Sequence, residues 1–241
     1  MKKIKILLLL LSPIVSQAQL NDLIKTVNEK TTTITKYTGN VDISSGLKEA
    51  LNKGISEQVS KLTAVDGFYK NEAVKILMPA ELAKVDKTLR KMGLSKLADE
   101  GVLLLNRAAE DAVKEATPIF VSAIKNLTIT DAKNILLGKD DAATLYLETK
   151  TTAELYSKFK PVVQSSIGKV GADVVWTKIM TKYNSVPFVT KINPDITDYV
   201  TNKALEGVFK QIAVEELKIR DDLNARTSNT LQEVFKLQDH N

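Results

Sequence analysis

Apolar residues recur at three- and four-residue intervals along most of this chain, and no stretch bounded by turns alternates in the two-residue rhythm of a half-buried strand. Leu47, Leu51, Ile55, Val59 and Leu62 form one such helical stripe, and Ile196, Tyr199, Val200, Leu205, Val208, Phe209, Ile212 and Ile219 form another. Only ten glycines and six prolines interrupt 241 residues, and they stand where helices start or stop. The pattern predicts an all-α fold: a compact multi-helix domain with short helices in the middle and a long C-terminal helix. With 44% hydrophobic residues, the chain can bury a sizeable core without covalent staples.

Helix boundaries follow from capping residues. Residues 42–45 read as a turn with a serine cap, and Asp66-Gly67-Phe68 as the end of the helix that follows. Residues 69–78 fit neither pattern. Pro79 suits a first helical turn, and Gly93 a left-handed stop. A long helix is expected from Ser95 to about Ala116. Its stripe of Gly101, Leu104, Leu105, Ala108, Ala112 and Ala116 would let a neighbour approach closely. Thr117-Pro118 opens the next helix, Thr130 is read as the cap of a short one ended by Gly138, and Asp140-Asp141 opens another with its acids against the helix dipole. Thr151-Thr152-Ala153-Glu154 has the form of a capping box, and Pro161 marks a new start or a kink. Asn193-Pro194 is read as cap and first residue of the last main helix, followed by a polar stretch and a small amphipathic piece with Leu231, Val234, Phe235 and Leu237.

The N-terminus carries a transport message. Lys2, Lys3 and Lys5 precede an apolar run from Ile6 to Leu11, and Ser16-Gln17-Ala18 places small residues before a cut after Ala18. The apolar stretch is shorter than the roughly 20 residues a membrane span takes, so export with cleavage is expected, with no transmembrane span afterwards. No cysteine stands at the expected cut, where a lipid-anchored protein would carry one. The leader holds three lysines and no acid, so its removal takes the formal net charge from +5 to +2. The four arginines, Arg90, Arg107, Arg220 and Arg226, form no basic cluster, which argues against nucleic acid as a partner. The domain reading is a signal peptide over 1–18, a loosely docked helix over 19–42, a helical domain over 43–221 and an appendage over 222–241.

Much chemistry is excluded by inventory. Without cysteine there is no disulfide, thiol nucleophile or thiolate metal site. The one histidine, His240, lies on the terminal tail, where it cannot serve as the rigidly held base of a triad. Gly138-Lys139 lacks the earlier glycine of a phosphate loop, and the turn over 138–141 lacks the acid ladder of an EF-hand. No cofactor or metal is therefore implied. Adjacent acids such as Asp99-Glu100 and Glu215-Glu216 point about 100° apart on a helix and do not by themselves build a site.

The best-organised polar groups lie in residues 106–111, where Arg107 can reach Glu110 or Asp111. Together with Asp131, Asp140 and Tyr146, the residues Asn106, Arg107 and Glu110 are expected to converge on one depression as a polar cleft. The competing reading is an ion-pair network that orients helices, and it is the commoner arrangement.

Several runs together carry a family resemblance: Gly46-Leu47-Lys48-Glu49-Ala50-Leu51, Asp66-Gly67-Phe68, Leu89-Arg90-Lys91-Met92-Gly93, Asn106-Arg107-Ala108-Ala109-Glu110, Pro118-Ile119-Phe120, Asp131-Ala132, Ile135-Leu136, Gly138 with Asp140 through Tyr146, Tyr199-Val200-Thr201, and Ala204 through Phe209. The chain resembles the bacterial family catalogued as domain of unknown function 4197 over about residues 43–221. The resemblance implies a helical exported protein and no established activity. Three functional expectations follow. The first is a non-catalytic binding or structural module of the cell envelope acting through an unknown protein partner. The second is a carrier of an apolar ligand, either a small molecule or a lipid. The third is a hydrolase using two carboxylates that converge in one cleft.

Overall fold

A computed structural model describes residues 43–79, 90–91, 93, 95–169, 195–226 and 228–236, with isolated positions between 173 and 191. The expected leader and the helix over 19–42 lie outside the described residues, as does most of the helix expected after Pro79. The described residues contain seven α-helices and no strand. They are α1 (Ile43–Thr63), α2 (Ser95–Val113), α3 (Ala116–Lys125), α4 (Ile129–Leu136), α5 (Ala142–Gly168), α6 (Ile196–Asp221) and α7 (Asn229–Phe235), with a 3-10 turn at Leu223–Ala225. The predicted all-α class with a long C-terminal helix is what the chain adopts. None of these helices is long and apolar enough to cross a membrane.

The core is built where α2, α5 and α6 meet. Thr144 bonds to Glu216 and Lys160 to Asp195, so α5 and α6 run antiparallel. Ala108, Ala112 and Ala116 of the small stripe read from the sequence have no exposed surface, nor has Ala109 beside them, and α2 ends at Val113 so that Ala116 opens α3. Phe68, Phe120 and Phe159 are fully buried in the same core, and Phe120 meets Phe209 edge to face at 6.0 Å. Close approach is decisive at Gly207, where an added Cβ would lie 2.7 Å from the Phe68 ring. It is equally so at Gly46, where one would lie 2.4 Å from the Val234 side chain on α7. The terminal piece set apart in the sequence is thus seated on α1, with Leu231, Val234 and Phe235 buried.

Several boundaries differ from the sequence reading, each for a local reason. Ser44 and Ser45 lie inside α1, whose buried face of Ile43, Gly46, Leu47 and Ala50 extends to the N-terminal side of the expected serine cap. The short helix α4 is capped by Thr128, not Thr130: Thr128 is extended, its hydroxyl oxygen accepts the Asp131 N–H, and the Asp131 carboxylate accepts the Thr128 N–H. The sequence around 193–195 placed the start of α6 too early, since Asp195 caps it by accepting the Asp198 N–H. The left-handed stop at Gly93 is present, with φ of 77°.

The largest correction concerns α5. Thr151 and Glu154 form no capping box, and Pro161 starts no new helix, because one helix runs from Ala142 to Gly168. The hydroxyls of Thr151 and Thr152 donate to the carbonyls of Leu147 and Glu148 one turn back. A proline inside a helix costs about 3 kcal/mol. Leu155, Phe159, Val163 and Ile167 are all fully buried on the same face, and each is worth about 1.5–3 kcal/mol. Four such burials outweigh one proline, whose own ring is exposed.

Candidate functional site

Besides the Lys160–Tyr156–Asp198 and Lys160–Asp195 bonds that tie α5 to the start of α6, three polar assemblies among the described residues bear on a site. The first ties α2 to the irregular segment after α1. Asn106 has no exposed surface; its Oδ1 accepts the Ile76 N–H at 2.8 Å, and its Nδ2 donates to the Ile76 and Val102 carbonyls at 2.8 and 2.7 Å. Glu110 is also buried, and its Oε1 accepts the Phe68 N–H at 3.0 Å and the Tyr69 N–H at 3.4 Å. Arg107 donates to Glu110 and to Asp66, each at 2.6 Å. Asp66 has φ of 70°, the left-handed region that aspartate tolerates better than most residues. Hydrogen bonds from Lys70 and Arg107 hold its carboxyl below the usual value, while Glu110 and Asp66 raise Arg107. Asp66 therefore contributes stability above pH 3.8 that is lost as pH falls through its lowered folded value. Residues 69–78, illegible in the sequence, are held by side chains from α2 in place of a regular backbone ladder.

The second assembly joins α4, α5 and α6. Glu216 and Arg220 form an ion pair at 2.7 Å, with side-chain exposures of 6% and 5%. The Glu216 carboxylate accepts the N–H groups of Ala143 and Thr144 and the Thr144 hydroxyl, all at 2.8 Å. Arg220 donates to the Ile135 carbonyl at 2.9 Å and the Leu136 carbonyl at 3.4 Å. The anion thus sits at the N-terminus of α5 and the cation at the C-terminus of α4, each where the helix dipole favours it. Asp141, the residue before α5, makes no side-chain cap of its own. Sequence reasoning missed this junction. Its one signal was the four-residue spacing of Glu216 and Arg220, which many solvated pairs share. Arg226 was missed as well: it is 2% exposed, donates to the Ile219 and Arg220 carbonyls, and lies over the Phe235 ring.

The third assembly is a groove of about 310 Å³ between α3, α4 and α5, lined by Ile119, Ser122, Asn126, Asp131, Tyr146, Lys150 and Glu154 among others. Tyr146, Lys150 and Glu154 stand at successive four-residue steps along α5. The Lys150 ammonium lies 5.9 Å from the Tyr146 ring centre. Burial and the nearby Asp131 charge raise the Tyr146 hydroxyl, so it stays a neutral donor at physiological pH. The Thr128 hydroxyl and N–H hold Asp131 below the usual carboxylate range. Asp131 uses Oδ2 for both bonds.

The six residues expected to form one cleft are therefore divided. Asp131 and Tyr146 share the α3–α4–α5 groove. Asn106 and Glu110 are buried and bind backbone, so neither reaches a surface depression. Arg107 bridges Glu110 and Asp66, and Asp140 is exposed on the turn before α5. The network reading of residues 106–110 describes what Arg107 does, with Asp111 turned instead toward Lys114 and Ser166. Among the described residues, no group of three or more acids or histidines is placed to hold a metal ion.

Neither the curated proteins nor the solved structures contain a match to this chain. A family model described as a protein of unknown function, DUF4197, matches residues 37–236, continuing through α7 beyond the point at 221 where the resemblance in the sequence stops. That match takes in all seven described helices, and the chain belongs to the DUF4197 family.

Proposed function

We propose that the chain works after export as a non-catalytic binding module of the cell envelope, with the α3–α4–α5 groove as its recognition face. Export rests on the basic, apolar, small-residue order of the first 18 residues. The binding reading rests on a contrast in how polar groups are used. In the two buried assemblies the polar side chains are committed to helix ends and loop backbone. In the groove, the side chains of Ser122, Asn126, Lys150 and Glu154 make no hydrogen bond or ion pair with the described protein, Lys150 lying only near the Tyr146 ring, and Tyr146 keeps its hydroxyl unbonded. Hydrogen-bonding capacity gathered in a concave surface and left unused by the fold is available to a ligand.

The carrier reading has less support. The apolar cavity between α1, α6 and α7, lined by Leu47, Ile55, Ile212 and Phe235 among others, holds about 40 Å³. Small-molecule sites occupy about 300–1,000 Å³. The test is a photo-crosslinking amino acid placed at position 126 or 150 of the full-length chain in cells, with position 57, which lines a separate groove of about 320 Å³ between α1 and α6, as the control. The reading expects a discrete adduct in the envelope fraction from 126 and 150 and none from 57. Adducts absent at all three positions, or identical at all three, would overturn it.

A further inference from the structure

The chemistry lining the α3–α4–α5 groove narrows what it can hold, and the inference rests on the proposal that this groove is the recognition face. Its side chains offer hydrogen bonds in both senses. Asp131 and Glu154 accept only, Lys150 donates only, and Ser122, Asn126 and Tyr146 can do both, while the Thr128 hydroxyl is taken up by Asp131. One cation against two anions disfavours a phosphate or polyanion. Ile119, almost wholly buried beneath the groove, and Ala123 are the only aliphatic residues of the lining, which disfavours an amphipathic helix that needs an apolar trough. Lys150 and Glu154 are one turn apart, in the less favourable order for a helical pair, and do not bond to each other. A ligand hydroxyl can therefore donate to the carboxylate and accept from the ammonium without first breaking an ion pair. A volume of about 310 Å³ lies at the small end of ligand sites.

We infer that this groove is a saccharide subsite, which takes an uncharged, polyhydroxylated sugar unit of a larger glycan between Ser122 and Asn126 on one side and Tyr146, Lys150 and Glu154 on the other. Sugar hydroxyls are donors and acceptors at once, and this lining matches that dual demand. The Tyr146 ring, half-buried against the core, supplies the groove's aromatic surface.

The experiment is a titration of the isotopically labelled protein, followed by amide NMR, with chitotetraose and maltotetraose as neutral probes and a tri-lysine peptide as the competing class. The proposal expects saturable shifts from at least one sugar, confined to residues 119–131 and 146–154. Asn126→Ala or Glu154→Ala should weaken binding about tenfold, the loss of one hydrogen bond involving a charged or amide group, while Glu57→Ala leaves it unchanged. Both substituted groove residues are exposed, so the fold survives their removal. No saturable shift from either sugar, shifts unaffected by the groove substitutions, or shifts from tri-lysine alone would overturn the saccharide assignment. Photo-crosslinks from positions 126 and 150 to a protein would then leave the binding reading standing, whereas their absence would remove both.

Discussion

The junction at Glu216 and the groove at Tyr146 lie at opposite sides of the same question: what a polar side chain in a helical protein is for. Both involve α5 and α4. At the junction a single carboxylate accepts two backbone N–H groups, a hydroxyl and a guanidinium. At the groove, a lysine, a glutamate, an asparagine and a serine face a concave surface with no protein partner for hydrogen bonding. Burial separates the two. A buried charge must be satisfied by the protein itself, so its partners are fixed by folding. An exposed group is satisfied by water, and water can be exchanged for a ligand. Buried polarity here builds the architecture, and the groove is where polarity remains for recognition.

The contrast is broken most directly at Glu216. Glu216→Ala leaves Arg220 buried without its anion and the first N–H groups of α5 without an acceptor. A loss of about 3–5 kcal/mol is expected in chemical denaturation, the usual cost of removing one partner of a buried pair. A loss below about 1 kcal/mol would mean that the junction behaves like a solvated surface pair.

Asn106 gives the next effect. Asn106→Leu matches the apolar surroundings but strands the Ile76 N–H and carbonyl, each at a cost of about 1–3 kcal/mol. The expected signature is local: hydrogen exchange at Ile76 accelerates more than exchange in α5. Uniform acceleration would show that the segment over 66–78 is no separate unit held by α2.

The network around residues 106–110 was partly legible beforehand, and the way it failed to be a cleft is instructive. The three-residue spacing from Arg107 to Glu110 showed that they could pair. It could not show that Asn106 and Glu110 face inward against a segment without regular structure, because the partners Phe68 and Ile76 lie about 30–40 residues away and offer backbone, not side chains. Backbone carries no sequence signature as a partner.

The smallest effect belongs to the groove. Asn126→Ala, Lys150→Ala and Glu154→Ala are each expected to change stability by less than about 0.5 kcal/mol, since exposed residues without protein bonds rarely contribute more. Denaturation midpoints of the three variants check this. A clear destabilisation in any of them would assign that residue to the architecture and sharpen the groove to the remainder.

Helical class, the apolar stripes of α1 and α6, the small face of α2 and the stop at Gly93 were determined by the sequence alone. Each depends on local periodicity or on the backbone preference of one residue, and such signals act over a few turns of chain. Tertiary structure decided the continuity of α5 through Pro161, the seating of α7 on Gly46, and the pairing of Glu216 and Arg220 with two different helix ends. In α5, four buried side chains override a local breaker. At Gly46, the missing side chain has meaning only against Val234 at the far end of the chain. At the junction, the helix dipoles become partners only once α4 and α5 have been packed against α6. In all three cases the governing interaction joins residues distant in sequence, and only the packed chain brings them within range.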